Sequence, residues 1–309
     1  MIPATLPPNG PDGSLLDELR ESAVVVFGAT GMVGRFLVDR LVCAGVDAIA
    51  ISRSEQLPEP HVKWIRADFA NLDLDEHAPV RFAFNTGPIW QLPQAVPALH
   101  RAGVAHLVTT SSTSRFTKTN SPIESEREVA RWLIEGEVKT QVACEARGIA
   151  WTILRPTVIY AEGKDRSITR LANLIRSFRM LPLAGDAPGR RQPVHADDLA
   201  GGLIDAAVSR ATANRSYNVP GGEALTYREM CERIFEGLGY RPRIISVPPS
   251  IWRMGLLAAS LIMPGMTTAM GSRMAEDLTF DATDAVRDFA WEPREFRPQF
   301  GFGQTGRTV

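Results

Sequence analysis

Three glycines, spaced as Gly28-Ala-Thr-Gly31-Met-Val-Gly34, stand between a β-branched apolar run and an amphipathic one. In such a strand–turn–helix setting the first glycine permits a tight turn and the second lets the backbone approach a pyrophosphate. The third lets the helix pack closely on the strand, and the helix N-terminus presents unpaired N–H groups to the phosphates. Gly28, Thr30, Gly31, Met32, Val33 and Gly34 are therefore the first cofactor-binding candidates, for a dinucleotide. The next apolar run ends Ala50-Ile-Ser52-Arg53, with no carboxylate before Glu55. An acidic residue there would bond the ribose hydroxyls, whereas a guanidinium matches a 2′-phosphate. Ser52 and Arg53 thus favour NADP, with NAD as the alternative; a solvated surface arginine is the competing reading of Arg53.

The elements that must hold this turn can be read from periodicity. Ala23–Phe27 is a continuous β-branched strand, and Ala48–Ile51, Val62–Ile65, Val80–Phe84, His106–Thr110 and Ala150–Leu154 follow as further apolar strands. Helical patterns separate most of them, notably over 89–102 and 124–147. Alternation on this scale predicts an α/β fold with a doubly wound parallel sheet. After Pro156 the pattern becomes irregular, with helices expected near 197–208, 227–237 and 274–288. The expected organisation is a flexible tail over 1–22 containing a short amphipathic turn at Leu15–Leu19, a Rossmann domain over 23–160 whose sheet later segments complete, and a smaller, mainly helical lobe over 161–309.

Taken together, these motifs resemble the extended or atypical short-chain dehydrogenase/reductases, the superfamily that includes nucleotide-sugar epimerases and dehydratases. The likeness runs over roughly residues 23–240. Asp68-Phe69 follows the third strand where the family's Asp contacts adenine, and Asn85-Thr86-Gly87 is similar to the loop that crosses the cofactor. Thr110-Ser111-Ser112-Thr113 resembles the Ser/Thr catalytic run, and Leu154-Arg155-Pro156-Thr157-Val158-Ile-Tyr160 the strand whose end lies beside the nicotinamide. Arg191-Gln-Pro-Val-His195-Ala-Asp197-Asp198 is similar to the family's Arg…Val-Asp-Asp segment. The resemblance implies cofactor contacts from Asp68, Phe69, Asn85, Thr86, Gly87, Thr110, Pro156, Thr157 and Val158. It implies substrate contacts from Tyr160 and from Arg191, which would grip a diphosphate; pairing with a carboxylate is the equal alternative for Arg191.

One departure bears on the chemistry. The family uses a Tyr-x-x-x-Lys pair on the helix after the serine strand, where lysine lowers the tyrosine pKa and holds the ribose. Counting back from Gly148 places Glu137 at the family's helix glutamate, and the Lys and Tyr positions then fall on Leu133 and Val129. All four tyrosines, Tyr160, Tyr217, Tyr227 and Tyr240, lie beyond that helix. The remaining catalytic candidates are Ser112, aligned with the family's serine, with Ser111, Thr113 and His195, the last because histidine is a common acid–base group. Each has a plainer reading: strand-end hydroxyls are common, His195 can bond backbone before a helix capped by Asp197 or Asp198, and Arg155 suits a structural ion pair. Three functional outcomes stay open: an oxidoreductase or epimerase with another proton carrier, an NADP-responsive regulator, or a noncatalytic subunit.

Composition narrows the setting. With 34 basic and 35 acidic residues the formal net charge is −1, so no general field draws nucleic acid. Cys43, Cys144 and Cys231 are widely spaced and suggest neither a disulfide framework nor a zinc site. A cytoplasmic protein with a small-molecule substrate is expected. Met254–Met263 is apolar but too short to span a bilayer, which takes about 20 residues; a buried helix is its default reading, with a lid or a membrane-interface contact as the alternative. A homodimer paired through 89–102 and 124–147 would resemble the family's usual one.

Overall fold

The computed structural model describes residues 13–77, 79–248, 250–252 and 274–300. Met254–Met263 lies outside these described residues, as does the start of the expected N-terminal tail. The chain divides into two compact units: one of residues 1–156, 196–219 and 281–292, the other of 157–195, 220–280 and 293–309.

The first unit is a three-layer Rossmann fold. Its strands are β1 (Ala23–Phe27), β2 (Ala48–Ser52), β3 (Val62–Arg66), β4 (Val80–Asn85), β5 (His106–Thr110), β6 (Ala150–Pro156) and β11 (Arg215–Val219). They form one sheet in the order β11-β6-β5-β4-β1-β2-β3, with every pairing parallel. Val24, Val25, Val26 and Phe27 of β1 are at most 1% exposed, as a strand covered on both faces requires. The strand order reverses between β1 and β4, and the crevice beyond the carboxyl ends of these two strands is where such sheets bind ligands.

The helices of this unit are α1 (Gly13–Glu21), α2 (Met32–Cys43), α3 (Val96–Arg101), α4 (Ser114–Thr117), α5 (Glu124–Glu145), α7 (Ala196–Ala207) and α9 (Thr283–Phe289). The amphipathic turn expected at Leu15–Leu19 lies within a helix, Gly13–Glu21, that packs beside β1 and β4. α7 and β11, though late in sequence, belong to the sheet unit, and residues 157–160 belong to the other unit. Small residues explain the return. Gly202 sits under the Trp291 ring, where a Cβ would come within 2.4 Å of it, and Asp197 on α7 bonds Arg40 on α2 at 2.6 Å.

The second unit contains α6 (Ile168–Phe178) and α8 (Tyr227–Gly237). Three short strand pairs accompany them: β7 (Ile159–Tyr160) with β10 (Val194–His195), β9 (Arg190–Arg191) with β12 (Leu225–Thr226), and β8 (Leu181–Ala184) with β13 (Ile244–Val247). Its core includes Tyr160, Ile175, Leu183, Ile234, Phe235 and Phe296. Among the described residues the two helices hold more of this unit than the strands do, and the strand pairs went unread because strands of two to four residues carry almost no readable alternation. A capping box starts α8, where the Thr226 side chain accepts from the Glu229 N–H and the Glu229 carboxylate bonds the Thr226 N–H in return.

His106 shows what the sheet interior demands of a titratable group. It is 8% exposed, and its ring bonds Thr152 Oγ1 at 2.9 Å and the Ala207 carbonyl at 3.3 Å. Burial pushes its pKa down from 6.5 to about 4, against the raising effect of the Ala207 carbonyl. Because the folded value lies below the unfolded one, stability is complete above about pH 6.5, falls as pH drops toward 4, and loses nothing further from this group below that. The expected loss at pH 5 is about 2 kcal/mol, read as a lowered urea midpoint, and His106→Gln should flatten that part of the profile.

Candidate cofactor-binding and active site

The glycine turn is built as its spacing predicts. Gly28 adopts φ +71°, and a Cβ there would meet Thr86 Oγ1 at 2.7 Å and the Gly87 nitrogen at 2.8 Å. The Gly31 N–H donates to the Gly28 carbonyl at 2.8 Å. Gly31 is the N-cap of α2 and supplies no side-chain cap, which leaves the helix's first N–H groups for a ligand. At Gly34 a Cβ would stand 2.0 Å from the Gly28 carbonyl oxygen. Thr86 Oγ1 locks the facing loop by donating to the Phe27 and Gly28 carbonyls, both at 3.1 Å.

Around this turn lies a cleft of about 190 Å³ lined by Gly28, Thr30, Ser52, Arg53, Asp68, Phe69 and Gly87, with Phe27, Ile51, Ala67, Pro88 and Gln91. The Phe69 ring stacks on Phe27, with centroids 4.9 Å apart and planes 9° apart. The Asp68 carboxylate accepts the Ala70 and Asn71 N–H groups, each at 2.9 Å. Those bonds, with Arg53 among the lesser causes, hold its pKa below the usual carboxylate value. Ser52 Oγ donates to the Ser54 carbonyl at 2.8 Å and shapes the bend that carries Arg53. Asn85, fully buried, accepts the Gly87 N–H at 3.0 Å and donates to Thr109 Oγ1 at 2.9 Å, and Thr110 Oγ1 donates to the Asn85 carbonyl. The structure thus gathers the sequence-predicted residues of β1, β2, β4 and the segments after β3 and β4 around one crevice. Met32 and Val33 lie in the first turn of α2, with Val33 turned into the core.

The hydroxyl run after β5 serves several ends. Ser111 Oγ donates to the Glu137 carboxylate at 2.5 Å. Ser112 Oγ accepts the Ser114 N–H at 3.1 Å, and Thr113 Oγ1 donates to the Pro156 carbonyl at 3.1 Å. Glu137 has no exposed surface, and it receives Arg155 through Nε and Nη2 (2.6 Å for the latter) as well as the Arg115 guanidinium. Both guanidiniums lie within 6 Å of the Phe116 ring centroid. Arg155 is accordingly the structural ion pair expected of it. Arg115 was not singled out in the sequence, and Glu137 served there only as a landmark. A signal was present, because Ala130, Leu133 and Glu137 fall at helical spacing on the buried stripe of α5, where a carboxylate needs a cationic partner. Leu133 is 5% exposed, and Val129 packs against the same core.

The remaining candidates fall in the second unit. Thr157 Oγ1 donates to the Gln192 carbonyl, and the Val158 carbonyl accepts the Val194 N–H. His195 Nε2 lies 3.3 Å from the Glu162 carboxylate, and its ring meets Tyr160 edge-on with centroids 5.0 Å apart. Burial raises the Glu162 pKa, but bonds from His195 and from backbone N–H groups, Gln299's included, outweigh it and hold the carboxyl below its ordinary value. These residues border a cleft of about 520 Å³ with Arg294, Glu295 and Arg297. Arg191 is 8% exposed, and its Nη1 donates to the Arg190 and Glu276 carbonyls at 2.7 and 2.6 Å. All three cysteines are free, and among the described residues no cluster of His, Cys, Asp and Glu could hold a metal ion. No described helix is long and apolar enough to cross a membrane.

Comparison with known proteins agrees with this geometry. Residues 28–176 match the family described as NAD(P)H-binding. The chain is 26% identical over 286 residues to divinyl chlorophyllide a 8-vinyl-reductase of Oryza sativa subsp. indica, covering 81% of this chain and 67% of that protein. It is 24% identical over 315 residues to 2-alkyl-3-oxoalkanoate reductase of Stenotrophomonas maltophilia (strain K279a), covering 88% of this chain and 94% of that one. The chain spans 67%, 61% and 50% of the lengths of the first curated relatives it matches. Among solved structures, epimerase Mth375 of Methanothermobacter thermautotrophicus superposes with a TM-score of 0.68 at 18% identity, covering 93% of each chain. Residues 28–176 are therefore similar to an NAD(P)H-binding family, and the chain shares the fold of the epimerase.

Proposed function

We propose that the protein is an NADP(H)-dependent oxidoreductase that moves hydride between C4 of the nicotinamide and a carbinol or ketone carbon. The observation that carries this reading is the preformed turn at Gly28–Gly34, with its uncapped helix N-terminus and the Arg53 guanidinium on the rim of the same cleft. In bound NADP the pyrophosphate would sit on the first N–H groups of α2, the adenine against Asp68 and Phe69, and the 2′-phosphate beside Ser52 and Arg53. The oxoalkanoate reductase, alike over nearly its whole length, supports a carbonyl as the hydride acceptor. A nucleotide sugar is the substrate class suggested by the epimerase fold.

In this reading Val129 and Leu133 stand where the family's tyrosine and lysine act, so α5 supplies no phenol. Ser112 is the hydroxyl placed to polarise a substrate oxygen. The buried Ser111–Glu137 bond holds the loop that carries it. The same apolar pair on α5 favours a second reading, a noncatalytic NADP-responsive subunit. The homodimer would use α5, where Trp132, Val138 and Val142 are 46%, 51% and 60% exposed. Three free thiols suit a cytoplasmic setting.

Titration with NADPH, NADP, NADH and NAD tests the cofactor assignment. Arg53→Ala should weaken NADP(H) by about ten- to a hundredfold, the worth of a charged hydrogen bond, and leave NAD(H) unchanged. Equal weakening of both, or none, would remove the 2′-phosphate assignment. Turnover is followed as reduced-nicotinamide absorbance, with 3-oxoalkanoates in one arm and nucleotide sugars in the other. Tight NADPH binding without turnover on either would turn the case toward the subunit reading.

A further inference from the structure

Among the described residues, the strand pair β8–β13 of the second unit is packed against the core through one face. Leu181 and Leu183 point inward and join Ile175, Ile234 and Phe235 in the core. Alternation sends Pro182 and Ile245 the other way, and the parallel register sets these two side by side. Met180 and Arg243 stand directly before the paired first residues of the two strands, Leu181 and Ile244. Phe178, Met180, Ile245 and the nearby Ile251 are 65%, 44%, 46% and 59% exposed, a concentration of large apolar side chains that ordinary surfaces avoid.

Charge is as uneven here as apolarity. Residues 166–185 contain Arg166, Arg170, Arg176 and Arg179 and no carboxylate, and residues 237–275 likewise contain arginines and no carboxylate. In a chain with 34 basic and 35 acidic residues overall, that separation is local and one-signed. Arg179, Arg241 and Arg243 are exposed, and the Arg179 guanidinium lies 3.8 Å from the Tyr240 ring centroid, which fixes its charge beside the row. The nearest carboxylate along the strands, Asp186, lies past their opposite ends, where Arg228 faces it at 3.8 Å.

We propose that this face, made of Phe178, Arg179, Met180, Arg243 and Ile245, seats on the surface of an anionic lipid bilayer. The apolar side chains enter the boundary between headgroups and acyl chains, and the arginines meet lipid phosphates. The match of exposed apolar bulk with arginines that have no carboxylate partner among the described residues selects an anionic bilayer over a neutral one.

Flotation of the full chain with vesicles tests it, comparing phosphatidylcholine alone with phosphatidylcholine containing one third phosphatidylglycerol. The chain should float only with the anionic vesicles and be released by high salt. Arg179→Ala with Arg243→Ala should weaken vesicle binding about thirtyfold, at about fivefold for each arginine, and Phe178→Ser with Ile245→Ser should abolish it at unchanged thermal midpoint. The salt and lipid dependence of the unmodified chain decides the matter if a variant fails to fold. Equal flotation with neutral vesicles, absence of flotation with anionic ones, or flotation indifferent to both variants overturns the proposal. A dimer that Ile245→Ser dissociates, in a chain that does not float, overturns it in favour of a second copy on this face.

Discussion

Gly34→Ala is expected to cost about 3 kcal/mol or more of stability and to reduce dinucleotide affinity at least a hundredfold. The added Cβ would stand 2.0 Å from the Gly28 carbonyl oxygen and 2.7 Å from its carbonyl carbon. Both are backbone atoms, so no rotamer change relieves the contact. Relief requires α2 to move off β1, and overpacking of this kind costs about 1–3 kcal/mol or more. That movement also displaces the N–H groups that would receive the pyrophosphate, so binding should fall with stability and not independently of it. Differential scanning calorimetry with and without NADPH reads both. An unchanged thermal midpoint with undiminished NADPH stabilisation would show that α2 does not approach the turn this closely.

Glu137→Ala should be the most destabilising change on α5, at about 3–5 kcal/mol, the cost of breaking a buried ion pair by removing one partner. The carboxylate is wholly buried and answers two guanidiniums and the Ser111 hydroxyl. Its removal leaves Arg115 and Arg155, 19% and 15% exposed, without their common counter-charge. Glu137→Gln keeps an acceptor and should lose less. Replacing all three by Glu137→Leu, Arg115→Met and Arg155→Met should recover part of the loss, because a well-packed apolar substitute often matches a buried ion network. Urea unfolding of the four proteins measures the series. Equal midpoints for wild type and Glu137→Ala would mean that the cluster contributes nothing to stability.

The two changes share a physical cause. The space between β1 and α2 and the space between β5, β6 and α5 are both closed by backbone or buried charge, so neither can absorb a substitution by side-chain rearrangement. Each sits directly behind a surface that the proposed chemistry needs: the pyrophosphate seat in the first case, Ser111–Ser112 in the second.

The Rossmann half was open to reading because its signals are local. Ala23–Phe27 and His106–Thr110 are strands at the bounds their apolar runs mark, since a doubly covered parallel strand writes its burial into consecutive residues. The glycine turn was equally legible, as its three glycines fall within seven residues, although Thr86 and Gly87 close it from the facing loop. The carboxylate-free stretches around 166–185 and 237–275 were also in the sequence, but they acquire meaning only when β8 and β13 pair.

What the tertiary structure alone decided is which distant residues meet. α7 and β11 return to the first unit because Gly202 fits beneath Trp291 and β11 pairs with β6, contacts that no local period encodes. Arg191 and His195 belong to a segment read for substrate grip and catalysis, yet they bond the Glu276 carbonyl and the Glu162 carboxylate, partners 85 and 33 residues away. The sequence determined the fold class and the glycine turn because short-range sterics and strand burial specify them. The partners of buried arginines, histidines and carboxylates are set by long-range packing, where desolvation makes every buried charge find a counter-group wherever the chain brings one.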